Sequence, residues 1–410
     1  MSEYRQNQKS WQEGISKNIT FIVTKDCQLA CKYCYLVGKN EKERMSWQVA
    51  KSAIDYVLDR EDDPDFAYGS VIWDFIGGEP FLEIELIDKI CDYIKTEMYR
   101  RNHHWFNSYR FSFSTNGINY DSEKVQKFIN KNRDHLSIGI TIDGTKKKHD
   151  LNRIWKGEGP EKGSYDDVVR NIPLWIKQFP DSGTKVTISS ADIPYIKESV
   201  LHLYELGIHE VNINVVFEDV WNEGDDKIFE EQLLQLADEI IGKGYYEDYA
   251  CSFFSEIIGK PMDKVNENQN WCGAGKMLAI DSAGNFYPCT RFAAYSLREK
   301  KPIIIGNIRD GIDKNKLRPF LTLDRTTQSS EKCIDCEVAS GCAWCQGENY
   351  DAAESPTIYQ RAEAICKMHK ARVRANNYYW NKLFRKLELE DRAEQFEELK
   401  KKSAKLSEPC

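Results

Sequence analysis

Six short apolar runs recur between residues 18 and 217, and each is followed by a segment with helical spacing. The runs are Ile19 to Thr24, Val71 to Ile76, Phe111 to Ser114, Leu136 to Ile142, Val186 to Ser189 and Val211 to Phe217. Between them, Trp47 to Leu58, Ile84 to Met98, Ser122 to Ile129, Tyr165 to Phe179 and Ile196 to Leu206 gather apolar residues on one helical face. Alternating βα units predict an α/β fold with a parallel sheet, and six of them predict a partial, TIM-like (β/α)6 barrel. In such sheets chemistry collects at the carboxyl ends of the strands.

Outside this region the pattern changes. Residues 1–17 are a polar arm, and 18–220 carry the barrel. Residues 221–270 read as a bridge, with a charged helix near Asp225 to Gly242 and with Phe253 and Phe254 as core. From 271 to 370 the chain is rich in cysteine, and Met277 to Cys289 reads as a β-hairpin turning at Asp281 to Gly284. Residues 371–410 form a charged helical segment whose Tyr378, Tyr379, Trp380 and Leu383 make an apolar stripe.

Composition narrows the class. The 410 residues are 41% hydrophobic and 30% charged, as in ordinary globular proteins. No apolar run is long enough to span a membrane, and the first residues lack a secretory signal, so a cytoplasmic protein is expected. In that compartment thirteen cysteines argue for metal binding over disulfides. A net charge of −8 disfavours nucleic acid and suits a peptide or small molecule.

Cys27, Cys31 and Cys34 stand in the loop leaving the first run, spaced Cys-x3-Cys-x2-Cys. Closely spaced thiolates are how a loop wraps an iron–sulfur cluster, and three ligands leave one iron of a cubane open. A zinc site or reduced core cysteines are the alternatives. The spacing, with Tyr33 inside it and Tyr35 after it, resembles the cluster loop of the radical S-adenosylmethionine (SAM) enzymes. That resemblance implies a [4Fe–4S] cluster on these three cysteines, with its open iron chelated by SAM. The second run ends in Gly77-Gly78-Glu79-Pro80, similar to the family motif that holds the amino group of SAM. Ser114, Asn116, Thr141, Arg153 and Ser189, with Tyr33, are the further cofactor contacts it implies. Asn-Gly and Asp-Gly at these strand ends are also ordinary turn sequences. Lys146 to Lys148 read as a solvated turn.

Downstream, Cys272, Cys289, Cys333, Cys336, Cys342, Cys345 and Cys366 are too many for one tetrahedral zinc site, though a pair of such sites remains an alternative. Their order resembles the SPASM domain, a C-terminal extension of radical SAM enzymes with two auxiliary [4Fe–4S] clusters. The resemblance implies that Cys333, Cys336, Cys342 and Cys366 hold the distal cluster. Cys272, Cys289 and Cys345 then hold the cluster nearer the barrel, one thiolate short. Either Cys251 supplies the fourth bond or an iron stays open. Two residues separate Cys342 from Cys345 where the family has three, which leaves the role of Cys345 open. Cys91 reads as core, and Cys410 has no assigned partner.

In that family, SAM yields a 5′-deoxyadenosyl radical that abstracts hydrogen from a C–H bond, so no side chain need act as a nucleophile. The stretch from Cys342 to Asp351 is similar to maturases of peptides with repeated Cys-x-x-x units. It implies thioether cross-linking, as in sactipeptides and ranthipeptides, of a ribosomally synthesised precursor peptide. The formylglycine-forming branch carries an Asp after the hairpin cysteine, where this chain has Thr290. Carbon–carbon linkage, epimerisation and a non-catalytic zinc protein are the other readings. An external electron donor such as flavodoxin or ferredoxin is implied. A separate leader-recognition protein, or direct leader binding, is implied too, because a first strand near residue 18 leaves no room for a full winged-helix element.

Overall fold

The computed structural model describes residues 16–39, 41–157, 161–261, 272–342 and 345–404. Most of the polar arm, the end of the bridge and Cys410 lie outside these residues. The six expected strands are present as β1 (Ser16–Thr24), β2 (Ser70–Gly77), β3 (Tyr109–Thr115), β4 (Leu136–Ile140), β5 (Thr184–Ile188) and β6 (Glu210–Val215). The helices between them are α1 (Trp47–Leu58), α2 (Ile84–Arg100), α3 (Glu123–Asn132), α4 (Lys146–Asn152), α5 (Tyr165–Val169), α6 (Ile172–Gln178) and α7 (Ile196–Glu205). Ser46 caps α1 by accepting the Val49 N–H at 3.2 Å. The segment expected as one helix from Tyr165 to Phe179 is split into α5 and α6. Pro173 at the start of α6 has no N–H to continue the earlier ladder.

The chain forms two compact units. The first comprises residues 1–30, 34–139 and 272–323. Its sheet joins β1 to β4 in parallel and continues past β1 through β8 (Leu278–Ile280), β9 (Asn285–Tyr287), β10 (Gly306–Asn307) and β11 (Gly311–Ile312). The expected hairpin is β8–β9, with Gly284 at φ 81° in its turn. Its first strand pairs parallel to β1, with Ile19 opposite Leu278 and Phe21 opposite Ile280. One sheet face is apolar: Phe21, Trp73, Phe75, Phe111 and Phe113 are buried, with the Phe75 and Phe113 rings stacked at 5.1 Å. Each such side chain stabilises the fold by about 1.5–3 kcal/mol. The alternate residues Asn18, Thr20, Asp74, Arg110 and Ser112 make the other face polar, as the period of two requires.

The second unit comprises residues 31–33, 140–271 and 324–410. Its sheet runs β5, β6, then β7 (Ala250–Cys251). The ladder of a continuous six-stranded barrel is interrupted before β5, where Thr141 and Lys185 form one isolated bridge. There Thr184 Oγ1 donates to the Ile140 carbonyl at 2.7 Å and accepts the Ile142 N–H at 3.2 Å, substituting for backbone pairing. Helix α8 (Asp225–Lys243) is followed in the chain by α9 (Lys314–Thr322) of the first unit. The second unit then adds α10 (Arg325–Gln328), α11 (Glu331–Ile334), α12 (Gln346–Ala352), α13 (Cys366–Lys386) and α14 (Glu390–Ser403). The apolar stripe of α13 packs on α14 through Trp380, Phe384 and Phe396. Phe253 and Phe254 meet Phe229 and Tyr379, so they are core.

Candidate active site

In the first unit, β1 ends at Thr24 and Asp26 turns the chain, its carboxylate accepting the Cys27 N–H at 2.9 Å. Cys27 Sγ accepts the Leu29 N–H at 3.3 Å and lies 3.9 Å from the Asn116 amide nitrogen. Donors aimed at sulfur favour the thiolate, the ligand form. Cys27, Cys31 and Cys34 are all thiols, with Cys27 buried.

The Gly77-Gly78 turn is fitted to this loop. Gly78 N–H donates to the Thr24 carbonyl at 3.0 Å, and Glu79 N–H to the Asp26 carbonyl at 2.8 Å. A Cβ on Gly77 would stand 2.4 Å from the Thr24 carbonyl oxygen, and one on Gly78 2.2 Å from that of Asp26. These glycines are therefore required by the approach of two backbone segments. Glu79 is buried: Oε1 accepts the Phe81 N–H and the Thr115 hydroxyl, and Oε2 accepts the Asn116 N–H at 2.8 Å. Pro80 opens the short turn that follows. Thr115, absent from the sequence reading, supplies the hydroxyl that meets Glu79, whereas Ser114 is exposed on the opposite face of β3.

The second unit builds a buried polar network around Tyr33. Its phenol donates to Asp143 Oδ2 at 2.5 Å and accepts from Arg153 Nη1 at 3.0 Å. Asp143 Oδ1 accepts the Thr187 N–H at 3.0 Å. Burial opposes charge on Asp143, but Lys148 and Arg153 outweigh it and hold the carboxyl below its usual range. Burial and the neighbouring Arg153 push His149 down to about 3, so it is neutral. His149 Nδ1 then accepts the Asp143 N–H at 3.3 Å, and Nε2 meets the Ser164 hydroxyl at 3.0 Å. Lys148 corrects the reading of its triplet as a solvated turn. It is fully buried, 3.3 Å from an equally buried Asp192, and donates to the Thr187 carbonyl. Ser189 is an N-cap in a capping box with Asp192.

The second cysteine set is spread over both units. In the first, Cys289 follows β9, and the Arg291 guanidinium lies 4.6 Å over the Tyr35 ring. In the second, Cys333, Cys336, Cys342 and Cys366 line one cavity of about 230 Å³. Arg361 Nη2 donates to Cys342 Sγ at 3.0 Å, and His369 Nε2 meets the Val338 carbonyl at 2.7 Å. Cys345 precedes α12 and is not among the residues lining that cavity. Cys366 stands in a disulfide in this structure, so its ligand role requires that bond to be reduced. Cys251 is buried on β7, and burial pushes its thiol up to about 12. Cys91 is buried in α2.

The family description "Radical SAM superfamily" matches residues 21–206. Over these residues the chain is similar to that superfamily. The family uses SAM and a [4Fe–4S] cluster, and its partial barrel is the α/β fold described above. The chain is 22% identical to the serine-type anaerobic sulfatase-maturating enzyme of Bacteroides thetaiotaomicron, over 65% of its own length and 67% of that protein's. It is also 22% identical to the antilisterial bacteriocin subtilosin biosynthesis protein AlbA of Bacillus subtilis, over 80% of its length and 66% of that protein's. Among solved structures, native anSMEcpe with bound AdoMet aligns with a TM-score of 0.64 at 19% identity. That alignment covers 87% of this chain and 96% of the other.

The residues of this region suit the group the family carries. One loop offers three thiols, N–H groups point at Cys27 Sγ, and Glu79 is a buried carboxylate. Arg153 is buried, and its Nε has no hydrogen-bond partner among the described residues, which suits a carboxylate. Asp143, His149 and Thr115 were missed as site residues. Asp143 and His149 precede Arg153 by ten and four residues, and that proximity was the available signal.

Proposed function

We propose that this protein is a peptide maturase that forms thioether cross-links between a cysteine sulfur and a carbon of another residue in a precursor peptide. The coarser statement rests on the radical SAM match and on relatives named as a sulfatase-maturating enzyme and a bacteriocin biosynthesis protein. The observation that carries the finer reading is the division of the cysteine set. Four thiol positions line one cavity, and Cys272, Cys289 and Cys345 fall outside it. A cluster held by three thiolates would have an iron left for a substrate thiol, and would supply an acceptor for the electron left over when one C–S bond replaces a C–H and an S–H bond. Bound SAM would supply the radical that removes the carbon-bound hydrogen.

Within this reading the protein's residues position and exclude. In the first unit Glu79 would accept the ammonium of SAM, and in the second the Tyr33–Asp143 pair fixes the Arg153 guanidinium. By the SPASM resemblance, Cys272, Cys289 and Cys345 are the expected ligands of a proximal cluster, and Cys333, Cys336, Cys342 and reduced Cys366 would hold a distal one in their cavity. A precursor peptide and an external electron donor are the partners, with a separate leader-recognition protein, in the cytoplasm.

Formylglycine formation is the second reading, supported by the sulfatase-maturating relative. Thr290 and Arg291, beside Cys289, contact Tyr35 and offer no carboxylate base. The test is incubation of the reduced, reconstituted enzyme with SAM and a cysteine-rich precursor. Loss of two hydrogens per link, with the linked sulfur resistant to alkylation, is expected. Turnover that leaves every precursor cysteine open to alkylation rejects thioether formation.

A further inference from the structure

A closed circuit of polar contacts in the second unit begins and ends in the cysteine loop. From the Tyr33 phenol it passes to Asp143 Oδ2, and from Asp143 Oδ1 to the Thr187 N–H at 3.0 Å. The Thr187 carbonyl accepts from Lys148 Nζ at 2.9 Å, and the same ammonium stands 3.3 Å from Asp192 Oδ2. Asp192 Oδ2 also accepts from the Asn152 side-chain amide at 2.9 Å. The Asn152 backbone carbonyl then accepts the Lys32 N–H at 3.0 Å, one residue before Tyr33.

The middle of this circuit is an ion pair with no exposed surface on either side chain. Desolvating two charges is costly, and apolar side chains of similar volume would fill a core as well or better. Stability alone therefore does not account for Lys148 and Asp192. What they do that apolar residues cannot is join two hydrogen-bonded branches. One branch ends on the side chain of Tyr33 and the other on the backbone of Lys32. Two anchors on consecutive residues fix both the place and the rotation of the Cys31–Tyr33 segment. Buried polar networks respond as a unit, so a cut at one point is felt at the others.

We infer that Lys148 and Asp192 are positioning residues for the cysteine loop. Through Thr187 and Asn152 they hold Tyr33 and Lys32, and with them Cys31, in the arrangement that ligates the cluster. Arg153 is held with them, because its Nη1 donates to the Tyr33 oxygen at 3.0 Å. The inference rests on reading Cys31 as a cluster ligand and does not depend on thioether formation.

The test uses the full chain with its cysteines reduced. Hydrogen exchange at the Lys32 amide is followed by mass spectrometry with residue-level fragmentation. N152A keeps the backbone carbonyl and removes the amide that joins it to Asp192. K148M/D192N cuts the circuit at the ion pair and removes both charges together, leaving neither buried alone. In each variant the Lys32 amide is expected to exchange about tenfold faster than in the parent, with α13 amides unchanged. The control N381A removes a buried bond from α13 to the Ala393 carbonyl and should leave Lys32 at the parent rate. After reconstitution, SAM affinity by calorimetry should fall about tenfold in both circuit variants and keep the parent value in N381A.

Parent exchange at Lys32 in N152A, the milder change, would overturn the inference even if the double variant does not fold. Uniform acceleration across the second unit would reduce the pair to general stability and overturn it as well. Faster Lys32 exchange with the parent's SAM affinity would overturn the positioning role. Neither measurement requires turnover. An enzyme that forms no thioether could pass both, and one that forms thioethers could fail either, so the two proposals fail separately.

Discussion

The phenol of half-buried Tyr33 and the carboxylate of buried Asp143 are 2.5 Å apart, and the same phenol oxygen receives Arg153. The cysteine loop is therefore anchored from within its own sequence, by the residue between Cys31 and Cys34. Replacing Tyr33 by Phe keeps the ring and removes both bonds. A loss of about 1–3 kcal/mol in unfolding free energy is expected, with weaker SAM binding by calorimetry. D143N should cost more, about 3–5 kcal/mol, because it leaves buried cations without their counter-charge.

Gly78→Ala is expected to displace the cysteine loop, since the new methyl would meet the Asp26 carbonyl at 2.2 Å. The obstacle is backbone and cannot rotate away. Iron bound after reconstitution should fall by roughly four atoms per chain, the content of one [4Fe–4S] cluster. Far-ultraviolet circular dichroism should stay near the parent's. Full iron content in this variant would show that the loop tolerates the displacement.

The distal cavity makes a contrasting iron prediction. C333A is expected to remove roughly four irons per chain while C91A removes none, because Cys91 is buried in a helix. R361A withdraws the donor to Cys342 Sγ, and a shift in an auxiliary-cluster reduction potential is expected by electrochemical titration.

Acid should destabilise the fold through His149. Its folded value is about 3 against an ordinary 6.5, so the unfolded chain binds more protons across that window. Stability is then fully present above pH 6.5 and falls as pH drops toward 3, by an amount on the order of a few kcal/mol. Urea unfolding at pH 7 and pH 5 measures the slope, and H149N should flatten it. An identical slope in H149N would assign the dependence to other groups.

Much of this fold is legible locally. The α1 helix has the bounds its periodicity predicts because Ser46 caps it and apolar spacing carries it. Pro173 likewise announces the split between α5 and α6. What local pattern does not carry is pairing between distant segments. The substitution of Thr184 for a ladder, and the joining of three-residue β8 to β1, depend on partners far away in sequence. The site divides the same way. The cysteine spacing and Gly-Gly turn are contiguous and readable, whereas burial of Lys148 follows from Asp192, and the bonding of Tyr33 from Asp143 and Arg153. Thr115 was passed over for Ser114 because strand alternation was not phased to a face.

The parallel pairing of β8 with β1 has a consequence for how the protein can be divided. A chain cut after residue 220 keeps every radical SAM motif but strips β8 from the middle of its sheet, uncovering β1 along Ile19 to Phe21. An uncovered apolar edge recruits other chains. Such a fragment would be expected to aggregate on expression, making the cysteine-rich extension a folding requirement as well as a place for further clusters.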